Sequence, residues 1–438
     1  MNIILINFII YLILWIIFYH KIKRLNFFMV VWSSYTIGAL MSYVALETGY
    51  YFEASKEQVL RTATFEPFFF LLLFYLIAII PFWKVDERKI DLVGINTNNQ
   101  LYKTFANANL LLYSIVSIFK TYEMIVMQAY ISFAEQYEIS KGVEGESLGA
   151  LLYPNPILEH FSALGGTYCS MMAPLMMLYY LAKIAQTRKI GFKTAYAIVV
   201  TLIPVIAVGV VGASRGAIFF AMFQVSFYYL LIRRYISRGA KRKVFGAGLI
   251  ALALVVGVSI SITESREEAG KQRSTVSSIV NYFGQPTLNA SYVYYGKVKS
   301  HPMGARLFDK RDDDKSKALP FQVYWSNVTG VPTHYFKSFY GDLYIEFGTF
   351  AALVFLILYV SLWNRVVLTN YYKPVYLPFL WIYFHMLIYA NFDFEKLTFL
   401  RNVWFPFLIL FCVILSRILK HHKTSQLYTT SNEGRINN

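Results

Sequence analysis

Apolar runs about as long as a bilayer is thick recur along most of this sequence, and no other feature limits its fold as strongly. A hydrocarbon core of about 30 Å takes roughly 20 apolar residues as helix, and backbone inside it must find its hydrogen bonds within the segment. Such runs fall near residues 3–19, 27–46, 67–83, 105–127, 156–182, 195–212, 216–232, 244–262, 340–363, 375–391 and 400–418. The expected fold is therefore all-α, a polytopic integral membrane protein with about 11 transmembrane helices. With 57% hydrophobic and only 15% charged residues, the chain lies outside the range of soluble domains. The first run lacks both a basic region ahead of it and a small-residue cleavage site after it, so it reads as a retained helix.

Charge placement sets an expected orientation. Lys21, Lys23 and Arg24 follow the first run directly, which puts that loop in the cytoplasm and the N-terminus outside. On this count the inside segments hold 23 Lys or Arg against six on the short outside ones, and the C-terminus is cytoplasmic. The net charge of +16 is then a matter of topology rather than of a basic face, which argues against nucleic-acid binding. Four parts follow: residues 1–262 with eight spans, a long outer loop at 263–339, three spans at 340–418 and a cytoplasmic tail at 419–438. The outer loop carries Tyr282, Phe283, Tyr292, Tyr294, Tyr295, Tyr324, Trp325, Tyr335 and Phe336, which disordered segments avoid, so it is expected to be structured and partly helical.

Chemistry is expected on the outer face. Between two spans, Gly212-Ala213-Ser214-Arg215-Gly216 places one guanidinium at a hydrocarbon boundary, where a charge is usually paired, snorkelling or functional. Arg266 and Arg273 are seven apart, on one face of any helix there, and Arg401 opens the last span. Guanidinium forks suit phosphate oxygens. Leading into the ninth span, His334 is a candidate general base. Asp342 and Glu346, four apart on one helical face, would either assist such a base, bind a sugar hydroxyl or pair with arginines. Asp312-Asp313-Asp314 is flanked by Lys310, Arg311, Lys315 and Lys317, which makes it a solvated charge run rather than a metal site. Cys169 and Cys412 both lie in apolar runs, so neither a disulfide framework nor a Cys-based metal site is expected. HExxH, CxxC, P-loop and GxSxG patterns do not occur, and no metal or other cofactor is expected.

Three stretches carry a resemblance: Gly212-Ala213-Ser214-Arg215-Gly216, the run from Tyr340-Gly341-Asp342-Leu343-Tyr344 to Glu346-Phe347-Gly348, and Leu400-Arg401. With them the chain resembles the Wzy-type oligosaccharide repeat-unit polymerases of O-antigen and capsule synthesis. The resemblance implies a GT-C-like, polyprenyl-diphosphate-dependent glycosyltransferase in the bacterial inner membrane. It would move a growing glycan from undecaprenyl diphosphate onto an incoming lipid-linked repeat unit at the periplasmic face, without nucleotide or metal. Arg215 and Arg401 would hold the diphosphate, with Arg266 and Arg273 matching by position, and His334, Asp342 and Glu346 would form the catalytic set. The lipid bilayer and lipid-linked oligosaccharides are the implied partners, with a chain-length regulator as a further candidate.

Two other readings share features with this one. An O-antigen ligase would deliver finished glycan to another acceptor. A flippase or transporter of lipid-linked oligosaccharide would also need cations near a diphosphate, but no internal repeat is discernible, and Lys120 reads as the only charge within a span.

Overall fold

A computed structural model describes residues 2–51, 53–130, 155–211, 215–244, 275–308, 321–333, 337–365 and 376–390, with isolated positions 246, 248, 257, 372 and 373. Among these residues every regular element is helical and no strand occurs. The helices are α1 (Ile3–Ile22), α2 (Phe27–Glu47), α3 (Lys56–Thr62), α4 (Phe65–Lys84), α5 (Gln100–Tyr130), α6 (Pro156–Thr187), α7 (Phe192–Val211) and α8 (Arg215–Ile232). After them come α9 (Thr275–Asn289), α10 (Ala305–Phe308), α11 (Phe321–Thr329), α12 (Ser338–Trp363) and α13 (Leu377–Tyr389). Five segments, Ile3–Ile22, Phe27–Glu47, Phe65–Lys89, Gln100–Tyr130 and Ser338–Trp363, are long and apolar enough to cross a membrane. The protein is thus an all-α membrane protein. The runs expected at 244–262 and 400–418 lie almost entirely and entirely, respectively, outside the described residues.

The chain divides into two compact units. The first comprises residues 1–86, 273–370 and 382–405. Here α1 starts on the Asn2 side chain, which accepts from the Ile4 and Leu5 amides, and it stops where Lys23 turns left-handed and donates its N–H to the Tyr19 carbonyl. Asn26 caps α2 in the same way through Met29. Aromatic rings then fix the helices against each other. Tyr11 stacks on Trp32 with centroids 5.5 Å apart, Tyr35 on Tyr75 at 3.9 Å, and Phe74 meets Tyr340 edge-on at 5.0 Å. Two buried hydroxyls find backbone carbonyls: Tyr35 Oη donates to Leu387 and Tyr383 Oη to Ala78.

Within the stretch expected as an outer loop, α9 packs along the C-terminal part of α2. The contact depends on Gly284, because a Cβ there would stand 2.5 Å from the Met41 carbonyl oxygen. Val280 and Leu288 join Ile4, Ala45, Leu46, Val59 and Phe68 in one apolar cluster. Pro286 lies inside α9, which gives way to a π-helical turn over Ala290–Tyr294. This places Tyr292 against the same cluster, edge-on to Tyr51 with centroids 6.4 Å apart.

The second unit comprises residues 87–272, 371–381 and 406–438. Close approach between its helices comes from small and hydroxyl residues: Ser117 Oγ on α5 donates to the Val200 carbonyl on α7 at 3.1 Å, and Gly165 of α6 sits against Val116. Tyr168 Oη of α6 donates to Asn109 of α5 at 2.8 Å. At one end Arg233 pairs with Glu87, and Gln186 donates to the Val93 and Ile95 carbonyls.

Candidate functional site

Helix α12 is broken. Gly348 has φ 71° and ψ 177° inside it, a backbone conformation in which an L side chain is strained. The break interrupts the helical ladder, and two carbonyls just before it are taken up from outside. Ile345 accepts from His301 Nδ1 at 3.0 Å, and Glu346 accepts from the Met303 amide at 2.8 Å. Non-helical backbone at membrane depth survives only where protein or a water-filled cavity satisfies it. The segment His301–Arg306 does so here.

That segment also brings the counter-charges. Asp342 and Glu346, on the turn before the break, are 1% and 0% exposed. Arg306 reaches both: its Nε donates to Glu346 Oε1 at 2.5 Å and its Nη2 to Asp342 Oδ1. Lys337 Nζ lies 3.5 Å from the same Asp342 oxygen, and the Gly304 amide donates to Glu346 Oε2 at 3.0 Å. Among the described residues, two carboxylates thus face two cations. One guanidinium can bridge the pair because its donors are fixed in a planar fork.

Beside the break lies a shallow groove of about 540 Å³ lined by Phe65, Glu66, Phe69, Phe70, Tyr295 and Thr349. Tyr295 Oη donates to Glu66 at 2.7 Å. Burial first, and then the Glu66 carboxylate, push the Tyr295 phenol up to about 12. Tyr295 stacks on Tyr344 at 5.5 Å, and Tyr344 meets the His301 ring edge-on at 5.6 Å. Tyr344 Oη accepts from the Gly296 amide at 2.9 Å. Nearby, Lys297 lies 4.0 Å over the Tyr292 ring, and burial lowers its ammonium below the usual lysine range. Aromatic faces with one carboxylate and two hydroxyls, those of Tyr295 and Thr349, suit a ligand with an apolar face and a polar rim.

The second unit holds a separate buried charge pair. In α5, Lys120 Nζ donates to both Glu123 oxygens at 3.1 and 2.8 Å, and Ser162 Oγ of α6 donates to Glu123. Gly166 packs on the Lys120 stem, where a Cβ would stand 3.3 Å from its Cε. Cys169 is buried as a free thiol. Among the described residues no group of three or more His, Cys, Asp or Glu side chains is placed to hold a metal ion.

Of the residues singled out from the sequence, Asp342 and Glu346 come together on one face of α12, joined to Arg306 and Lys337. Arg215 begins α8. Arg266, Arg273, His334 and Arg401, like Asp312, Asp313, Asp314 and Cys412, lie outside the described residues. Arg306, Lys337, His301, Glu66 and Glu123 escaped the sequence reading. Glu123 alone had a usable signal, three positions after Lys120 in the same helix. Neither a protein-family model, nor a curated protein, nor a solved structure matches the chain.

Proposed function

We propose that this membrane protein is a polysaccharide polymerase. It transfers a growing glycan from undecaprenyl diphosphate onto an incoming lipid-linked repeat unit at the periplasmic face of a bacterial inner membrane. In this reading the chain crosses the membrane eleven times, with its N-terminus outside and a GT-C-like arrangement. One observation carries it: a broken helix with its freed carbonyls and buried charges satisfied, opening beside an aromatic groove with a carboxylate at its edge. Helix breaks of this kind let backbone and polar side chains approach a substrate without exposing unsatisfied groups to lipid. Energy for the transfer would arrive in the lipid diphosphate bond, so no nucleotide site is required.

A glycan length ladder from cells lacking the protein tests this. Surface lipid carrying single repeat units is the expected outcome, and an unchanged ladder refutes the proposal. The Lys120–Glu123 pair supports a second reading, transport of the lipid-linked oligosaccharide, since intramembrane charges often mark substrate paths. In that case, as for a ligase, all surface glycan would be lost.

A further inference from the structure

Resting on the polymerase reading, we propose that the groove of Phe65, Glu66, Phe69, Phe70, Tyr295 and Thr349 takes a sugar of the repeat unit that carries a protonated amine, with Glu66 as the residue that selects it. The lining combines flat apolar faces with one anion. Phe65 and Phe69, one turn apart on α4, are 51% and 46% exposed, and their ring centroids lie 6.2 Å apart. Phe70 stands 5.7 Å from Phe69, and Tyr295 adds a fourth ring to the lining. Such faces hold the apolar C–H face of a sugar ring by dispersion, and they attract a cation through their quadrupoles.

The charge in this groove is unmatched. Glu66 Oε2 accepts from Tyr295 Oη at 2.7 Å, and among the described residues its Oε1 has no hydrogen-bond partner. The phenol brings a dipole but no charge, and neither Lys nor Arg lines the groove. Lys297, the cation nearest to Tyr295 in the sequence, is turned onto Tyr292: its Nζ donates to that residue's carbonyl and lies 4.0 Å over its ring. A ligand's ammonium would supply the missing counter-charge, donate to Oε1 and rest against the aromatic faces. Thr349 adds a hydroxyl to the lining for a hydroxyl of the same sugar. A phospholipid headgroup suits the groove less well, because the phosphate that follows its ammonium would meet a carboxylate and no cation.

The test measures binding to purified full-length protein in a polyoxyethylene detergent, which offers neither amine nor sugar. The probes are a short glucosamine oligomer with free amines and the same oligomer N-acetylated, which keeps the rings and loses the charge. Wild type is expected to bind the free-amine form about 10-fold more tightly, as a charge-assisted hydrogen bond allows. Glu66→Gln keeps an acceptor for Tyr295 Oη and removes the charge, so it should lose most of that preference while binding the acetylated form as wild type does. Equal binding of both oligomers by wild type, or an unchanged preference in Glu66→Gln, overturns the proposal and leaves the polymerase reading standing. Displacement of the amine oligomer by an equal concentration of glycerophosphoethanolamine would give the groove to a lipid headgroup and overturn the sugar assignment. If the preference holds while the glycan ladder of cells lacking the protein is unchanged, the amine site stands and its assignment to a polymerase substrate falls with that reading.

Discussion

The two buried charge clusters are built in opposite ways. In α5, Lys120 and Glu123 are three residues apart on one helix, so helical geometry alone brings them together, and Ser162 adds one bond from α6. In α12, Asp342 and Glu346 share a face, but their cation Arg306 comes from 36 and 40 positions earlier in the chain. Its approach depends on the Gly304 and Met303 amides binding the Glu346 carboxylate and carbonyl. The first pair forms with its helix. The second forms only when a separate segment docks against a helix that is itself broken. A local pair can thus mark a helix, whereas a long-range cluster locks a tertiary arrangement.

The largest effect should follow from breaking the long-range lock. Arg306→Ala leaves two buried carboxylates with Lys337 as their remaining cation among the described residues. Removing one partner of a buried ion pair costs about 3–5 kcal/mol, a large share of the roughly 5–15 kcal/mol that holds a typical protein folded. The expected outcome is little monodisperse protein in detergent, measured by size-exclusion yield and thermal unfolding. Arg306→Lys should rescue it poorly, because Nε and Nη2 serve different carboxylates and one ammonium cannot span both. Near-normal stability of Arg306→Ala would mean that the cluster does not hold the segment in place.

Breaking the local pair should cost less. Lys120→Met fills similar volume and leaves Glu123 with its Ser162 bond. A loss of about 2 kcal/mol is expected, within the range for one unsatisfied buried polar group. A thermal-unfolding series of both variants in the same detergent checks the ranking. If Lys120→Met proves the more damaging, the contrast between local and long-range clusters fails.

The same contrast explains what could be read from the sequence. Helix existence was legible because a run such as Phe65–Lys84 is apolar over a membrane's width, and length with composition decides that much. Asp342 and Glu346 were legible as a pair, since their spacing of four sets a shared face whatever surrounds it. Arg306 was not, because no local pattern says which of the eleven Lys and Arg in residues 263–339 turns inward. Nor did Gly348 announce a break, since a glycine inside an apolar helix is commonly tolerated and only the docking of His301–Arg306 makes it necessary. The packing of α9 on α2 was hidden for a related reason. Gly284 is needed only because a neighbouring backbone lies against it.

The smallest effect is expected in the groove, where the charge is neither local nor locked. Tyr295→Phe deletes one hydrogen bond to Glu66 while the ring keeps its stacking on Tyr344. Glu66 is exposed, so water replaces the lost hydroxyl and the loss should be about 1 kcal/mol or less. The pH dependence of that difference is the sharper test. Because the Tyr295 phenol is pushed up to about 12, the folded state holds this proton more tightly than the unfolded chain, whose phenol titrates near 10. The stabilisation is therefore complete below about pH 10 and is lost as the pH rises toward about 12, as the unfolded chain gives up its proton first. Thermal unfolding of wild type and Tyr295→Phe should accordingly converge, or cross, over that interval. A constant gap would mean that the phenol titrates alike in both states and that Glu66 does not hold it.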